Sequence, residues 1–486
     1  MSFLNYTIFP TSGVIGSYTP GVQACFIPDG DSCSPVPSLG VILPFTGSSL
    51  PGGGITSSVG SAALGVAANV GANVAAGAVT GVINSSLNQN TSPAGNSQTS
   101  QNNQGNQNQS NQNPANSPIQ YSSRLVITKG GTYTGNWESA DAQYSAVEVK
   151  TSEPVTIINS NIRSKGNLIN SAGYHANITV INTNGYGENP DVNMKVPGRF
   201  LAVQDFSKIV VQNNYLESTR GIYIQGPKNG AGTIQINNNR VKNIDGRLSA
   251  GAGVWRGEDI ENYWNSSAID VGGSYGQFVQ LNTVNSADVE IGWNEVINEP
   301  GKSRAEDVIS IYKSSGTSGN PIDIHDNYIA GAFPLNPATD NFTGGGIMAG
   351  DNVGSSNVVV ENNSVISTTN YGIAASAGSH ILFLNNRVIA SGKLPSGASF
   401  KYNPNGGNVG LAIFRGYNTP LSNISAFNNT IGWTKANGSR NDWYIPEVTN
   451  FTGNKRLGLV SLQTESDEFT LWQKKLADNA VTIGPQ

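Results

Sequence analysis

From residue 147 onward the chain carries short bursts of alternating apolar and polar positions, and the bursts recur. The clearest pair spans 357–388, NVVVENNSVISTTNYGIAASAGSHILFLNNRV. Val358, Val360, Asn362, Asn363 and Val365 return 23 residues later as Ile381, Phe383, Asn385, Asn386 and Val388. Copies of this burst start at Ile209, Ile234, Val289, Ile322 and Ile424, with weaker copies at Val155 and Ile178. Between them lies a second burst, small or glycine residues leading into alternating apolar ones, at Gly221, Ala268, Val308, Gly346, Gly372 and Gly410. Alternation with period 2 in β-branched residues predicts strands. Each repeat therefore carries at least two.

A repeat in the twenties, lengthened by insertions, predicts a solenoid of stacked coils. Parallel coils sit about 4.8 Å apart, so equivalent positions form columns. An Asn in such a column can hydrogen-bond to the Asn above and below, satisfying polar groups in a turn that excludes water. Asn also tolerates the left-handed backbone of a sharp corner. Asn214, Asn239, Asn294, Asn327, Asn363, Asn386 and Asn429 form the expected column. The fold class expected is all-β: a right-handed parallel β-helix over 119–433, with an uncharged N-terminal anchor module and a C-terminal cap at 434–486. Asn marking the hairpins of a β-sandwich would not give columns this regular.

The N-terminal quarter follows other rules. Before Arg124 the only charges are Asp29 and Asp31. Residues 1–54 read as short strands and turns, an anchor module that folds against a partner. Residues 55–84 are small and uncharged, with Val66, Val70 and Val74 every four residues, and predict a thin helical segment. A membrane span is the alternative, and Asn69, Asn73 and the lack of flanking Lys or Arg speak against it. Residues 85–118 are an Asn/Gln/Ser linker that cannot bury enough apolar surface to order itself. Cys25 and Cys33 allow a small disulfide loop or two reduced thiols. The first residues lack a basic region and a continuous apolar core, so export by the general secretory route is not expected.

Insertions interrupt the coils at 184–200, 242–266, 298–306, 331–345 and 391–408, and in solenoids insertions tend to build the binding face. These carry Tyr186, Trp255, Tyr263, Trp264, Phe333, Phe342, Phe400 and Tyr402, rings suited to stacking on sugars or to an interface between copies. The segment after Trp433 reads as a cap containing an amphipathic helix, with Ser466 as candidate N-cap. A net charge of −5 makes a nucleic-acid partner unexpected.

The coils from Glu306 to Val388 resemble a bacterial and phage group of right-handed β-helix repeat proteins in the pectate-lyase-like superfamily, over roughly residues 120–480. The resemblance implies the fold, not one activity, since that superfamily includes lyases, hydrolases, epimerases and non-catalytic tailspikes. The chain has no match to the Asp-rich calcium site and Arg base typical of pectate lyases. Anchor, tether and β-helix together look like a phage tailspike or virion fibre. That resemblance implies a homotrimer in the virion, bound to other virion proteins through its N-terminal module, that recognises and often cleaves host cell-surface polysaccharide. The alternatives are an extracellular polysaccharide lyase or epimerase and a non-catalytic structural subunit.

Alignment of the second burst puts Tyr223, Asp270, Ser310, Met348, Ala374 and Ala412 in one outward column, and Gly273, Lys313, Asp351, Ala377 and Arg415 in another. Asp270, Glu306 and Asp307 are the candidate catalytic residues, because paired carboxylates can serve as acid and as nucleophile or base in glycoside hydrolysis. Solvated turn carboxylates or a structural cation site are the other reading of these three. Trp255, Trp264, Tyr312, Lys313, Phe342 and Asp351 are the candidate substrate-binding residues. Lys313 with Asp351 also reads as an ion pair on the solvent face. His175, His325 and His380 are isolated on separate coils. No metal site and no cofactor is expected.

Overall fold

The computed structural model describes residues 2–3, 37–38, 118–226, 232–258, 276–341, 344–401, 407–416 and 419–486. The anchor module, the small-residue segment and the linker lie outside these, apart from Pro118 and the pairs Ser2–Phe3 and Pro37–Ser38, which run parallel to each other. Among the described residues no helix is long and apolar enough to cross a membrane.

The rest of the chain is a parallel β-helix. Each full coil contributes three short strands rather than the two legible in the sequence, and these stack into three parallel sheets. The first sheet includes Ile222–Gln225, Val279–Asn282, Ile309–Tyr312, Ile347–Asp351, Tyr371–Ala375 and Val409–Ile413. The second includes Thr233–Asn237, Asp288–Gly292, Ile322–His325, Ser356–Glu361 and Gly378–Leu384. The third holds eleven strands, from Asn136–Ser139 to Lys455–Arg456. In the early coils the first and second sheets share the long strands Ile169–Ile181 and Leu201–Gln212. Inward side chains such as Ile309, Ile311, Val358, Val360 and Val365 fill one continuous apolar core along the axis. Coils continue past Trp433, where the pattern was expected to stop, through Trp443–Tyr444, Asn450–Thr452 and Lys455–Arg456.

The paired Asn residues divide two tasks at the turn between the second and third sheets. The first of each pair takes the left-handed backbone: φ is 53° at Asn213, 60° at Asn238, 56° at Asn362 and 56° at Asn385. The second is fully buried and joins three coils. Asn363 Nδ2 donates to Asn386 Oδ1 at 3.0 Å and to the Ile324 carbonyl at 2.8 Å, while its own Oδ1 accepts the backbone N–H and the side-chain amide of Asn327. The same bonds repeat from Asn214 to Asn429 and extend to Asn454, whose Oδ1 accepts from Asn429.

The C-terminal cap is lateral. The helix α1, Leu462–Asp478, starts at Ser461 rather than Ser466, with a reciprocal capping box between Ser461 and Thr464. Ser466 lies inside the helix because Ser461 already satisfies the first-turn amides. The chain then runs back along the third sheet. Arg387 forks onto Glu468, Lys475 reaches Asp326 and the Asn362 carbonyl, and Trp472 donates to Glu295. Farther on, Gly484 donates to the Asn238 carbonyl and the Asn213 amide to the Thr482 carbonyl. Tyr328, Ile366, Ile389 and Trp472 form the apolar seam beneath this strap. Trp293 stands where other coils have the first Asn; its φ is 57°, and its ring stacks on Trp472 with centroids 6.2 Å apart.

Two predictions follow from this division of labour. Asn363→Ala strands the buried donors of Asn327 and should cost about 3 kcal/mol or more in urea unfolding, whereas Asn362→Gly, at a left-handed position, should change stability by less than about 0.5 kcal/mol. Trp472→Ala should cost about 3–5 kcal/mol, against under about 1 kcal/mol for the exposed neighbour Leu471→Ala, measured by the same unfolding curves.

Candidate functional site

The long insertions at 242–266, 298–306, 331–345 and 391–408 all leave one edge, between a strand of the third sheet and the next strand of the first. The residue two positions before each first-sheet register position Leu201, Ile222, Val279, Ile309, Ile347 and Ile373 therefore forms a column along that edge. That column reads Arg199, Arg220, Gln277, Asp307, Gly345 and Tyr371. Polar groups collect where the chain re-enters the coil because no apolar neighbour completes the stack there.

Glu306 and Asp307 stand at this edge, and Asp351 ends the first-sheet strand Ile347–Asp351 on the next coil. Glu306, Asp307 and Asp351 are only 3%, 8% and 6% exposed. Asp307 Oδ1 accepts the Gly345 N–H at 3.1 Å and the Tyr371 hydroxyl. A Cβ on Gly345 would lie 2.1 Å from the Tyr371 ring, so glycine makes room for that contact. Burial, only partly offset by these two bonds, pushes the Asp307 carboxyl up to about 6. Asp351, on the next coil, is raised well above the carboxylate range by burial and then by the charge of Asp307, with Lys313 opposing. Its Oδ1 has no hydrogen-bond partner among the described residues. Burial and Asp307 raise the Tyr371 hydroxyl as well. Two acids in contact with one low-dielectric site hold protons at pH values where exposed carboxylates have lost them.

The other wall is cationic and amide. Gln277 donates to Glu306 Oε2 at 3.0 Å, and the Arg199 guanidinium reaches the Gln277 and Gln280 oxygens at 3.4 and 3.3 Å. Arg199 also lies over the Tyr223 ring, 5.0 Å from its centroid. Desolvation lowers the Arg199 pKa to about 10, against the opposing pull of Tyr223 and Glu306.

Several expected residues stand elsewhere. Tyr223 pairs with Gln280 and Gln280 with Ser310, so Gln280 holds the column place expected for Asp270. Asp270, Trp264 and Phe342 lie outside the described residues, as do Tyr263 and Tyr402. Tyr312, not Lys313, is opposite Asp351, because an irregularity after Ser310 shifts the register. The expected solvent-face ion pair is thus replaced by a buried Asp351 and by Lys313 Nζ set 5.2 Å from the Tyr312 ring centroid. Trp255 is half-buried under the Arg247 guanidinium, 4.4 Å from its ring. Phe333 and Phe400, expected as exposed sugar platforms, are 2% and 3% exposed and join two insertions in a small core with Leu394. His325 is a partly buried turn residue bonded to Asp326 and Glu290. Among the described residues no group of His, Cys, Asp or Glu is arranged to hold a metal ion.

Arg199, Gln277, Gln280 and Tyr371 were not singled out from the sequence. Their signal is the register itself: a polar or phenolic residue at a fixed offset before an inward apolar residue, visible only once the strands are aligned.

No family model, curated protein or solved structure matches the chain.

The raised Asp307 gives a signed expectation. Its folded value lies above the unfolded one, so its contribution to stability is full below about pH 4 and is lost as pH rises through about 6. Asp307→Asn keeps the acceptor for Tyr371 and Gly345. Chemical denaturation should show the wild type losing on the order of 2 kcal/mol between pH 4 and pH 7 relative to this variant.

Proposed function

We propose that the chain is a virion spike or fibre subunit whose β-helix binds a host cell-surface polysaccharide and hydrolyses it at the edge holding Glu306 and Asp307. The observation that carries this reading is the buried pair at the edge, Asp307 bonded to the Tyr371 hydroxyl and the Gly345 amide and Glu306 held by the Gln277 amide, with burial raising the Asp307 carboxyl. Carboxyls whose environments separate their proton affinities are the equipment of general acid and base catalysis. Asp307, bonded to the Tyr371 hydroxyl and the Gly345 amide, protonates the glycosidic oxygen as the bond to the anomeric carbon breaks. Glu306 takes a proton from the water whose oxygen joins that carbon, and the products are two shorter chains, one with a new reducing end. Neutral Asp351 and the Arg199 wall limit charge repulsion in the site. In this reading residues 1–84 attach to other virion proteins, 85–118 tether the β-helix, and the chain works as a homotrimer. The anchor, charged only at Asp29 and Asp31, and the low-complexity tether support that layout.

A second reading, a non-catalytic subunit, is favoured by the burial of all three carboxylates and by the internal partners of Asp307. Reducing-end release from purified bacterial surface polysaccharides separates the two. Glu306→Gln and Asp307→Asn should each lower release at least 100-fold with unfolding temperature held. If wild type binds polysaccharide but releases no reducing ends, the non-catalytic reading stands; unsaturated ends instead would establish a lyase.

A further inference from the structure

The same edge opens into a cleft of about 260 Å³ at the N-terminal coils. Its wall carries Arg124, Lys195 and Arg220, together with Lys165, which is paired with Asp191, against one lining carboxylate, Glu148. Both Glu148 oxygens are engaged within the wall, one by the Ser145 hydroxyl at 2.6 Å and the other by the Asn170 amide at 3.1 Å. The cations are fixed by neighbours and do not swing freely. Lys195 Nζ donates to the Ala142 carbonyl at 2.8 Å, Arg220 Nε to the Pro197 carbonyl at 2.6 Å and Arg124 Nε to the Ser145 carbonyl at 2.7 Å. Arg124 also lies 4.3 Å from the centroid of the exposed Tyr144 ring. The floor is nearly bare backbone: a Cβ on Gly198 would lie 1.7 Å from the Gly166 carbonyl oxygen, so only glycine permits this stacking.

We propose that this cleft is a second ligand site, which takes an anionic group of a saccharide while the chain of that saccharide continues along the edge towards Asp307. Three cations, Arg124, Lys195 and Arg220, each held by a backbone carbonyl, fit a carboxylate or sulfate, and guanidinium groups match either with paired N–H bonds. Tyr144 offers a ring face beside the charge. Arg220 belongs to the column that continues through Gln277 to Asp307, two coils on and therefore about 10 Å along the axis. The edge thus passes from cationic to acidic within the span of one oligosaccharide. A ligand with its anionic residue in the cleft is held in register with the carboxyls, and its charge is kept away from them.

This inference rests on the reading of the β-helix as a saccharide binder, but not on hydrolysis. The test is calorimetric titration of the full chain with hyaluronan hexasaccharide, a dextran sulfate fraction of similar length and neutral dextran. At low salt at least one anionic probe should bind 10-fold or more tightly than dextran and weaken as salt rises. Binding by hyaluronan alone, sulfate alone or both identifies the anionic group. Arg124→Gln with Arg220→Gln should weaken the bound probe at least 10-fold, and Lys455→Gln, on the last coil, should leave it bound. Equal affinity for dextran and both anionic probes overturns the proposal, as does unchanged binding in a folded double variant. Anion binding by a wild-type chain that releases no reducing ends overturns hydrolysis alone.

Discussion

A side-chain amide buried in a dry turn must satisfy two donors and an acceptor, and the fold of this chain is the arrangement that does so repeatedly. Each second Asn bonds to the next coil through one N–H, to a carbonyl of the preceding coil through the other, and accepts two N–H groups at its oxygen. The ladder fixes the coil spacing and the register together, because a slip of one residue would leave every amide in the column without partners. The apolar core supplies the driving force for collapse. The Asn column selects which collapse is native.

Register set at one corner determines what gathers at another. With the second-to-third turn held at constant length, the largest variations in coil length are discharged at the edge between the third and first sheets. Insertions, charged residues and glycines accumulate there, and side chains distant in sequence, such as Arg199 and Gln277, become neighbours. The site is thus a by-product of a rule about where the chain is free to lengthen. Burial at that edge then does the chemical tuning, since the carboxyls of Asp307 and Asp351 are shifted chiefly by loss of water and only secondarily by charge.

The solenoid was legible in the sequence because its signal is local and repeated: two apolar residues, two Asn and one further apolar residue at fixed offsets. Asp270, Glu306, Asp307, Lys313 and Asp351 were expected on one lateral face from alignment of the second burst, and the register shift after Ser310 sets Tyr312 rather than Lys313 opposite Asp351. The third strand of each coil was less visible, since short segments such as Tyr215–Glu217 carry too few alternations to stand out. Asp270 was set on a rung because its flanking residues imitate the second burst, yet the coil is closed by Val279–Asn282. Burial of Phe333 and Phe400 depends on two insertions meeting, which no local pattern encodes. The strap was read as an amphipathic helix, correctly, but its apolar stripe does not say which surface it will cover.

That strap alters the kind of cooperativity the molecule has. A stack in which each coil touches only its neighbours melts as a one-dimensional array, able to fray from either end. Here the Asn213 amide is joined to the Thr482 carbonyl across 269 residues of sequence, with contacts at several coils between. Fraying of the last coils must therefore lift a segment that is also fastened near the middle of the stack, which couples the last coils to the middle ones. Closing so long a loop carries an entropic cost that grows only slowly with its length, but it delays that contact until the coils beneath exist. The C-terminal residues thus act as a latch, closed last in folding, that turns a fraying ladder into a single unit.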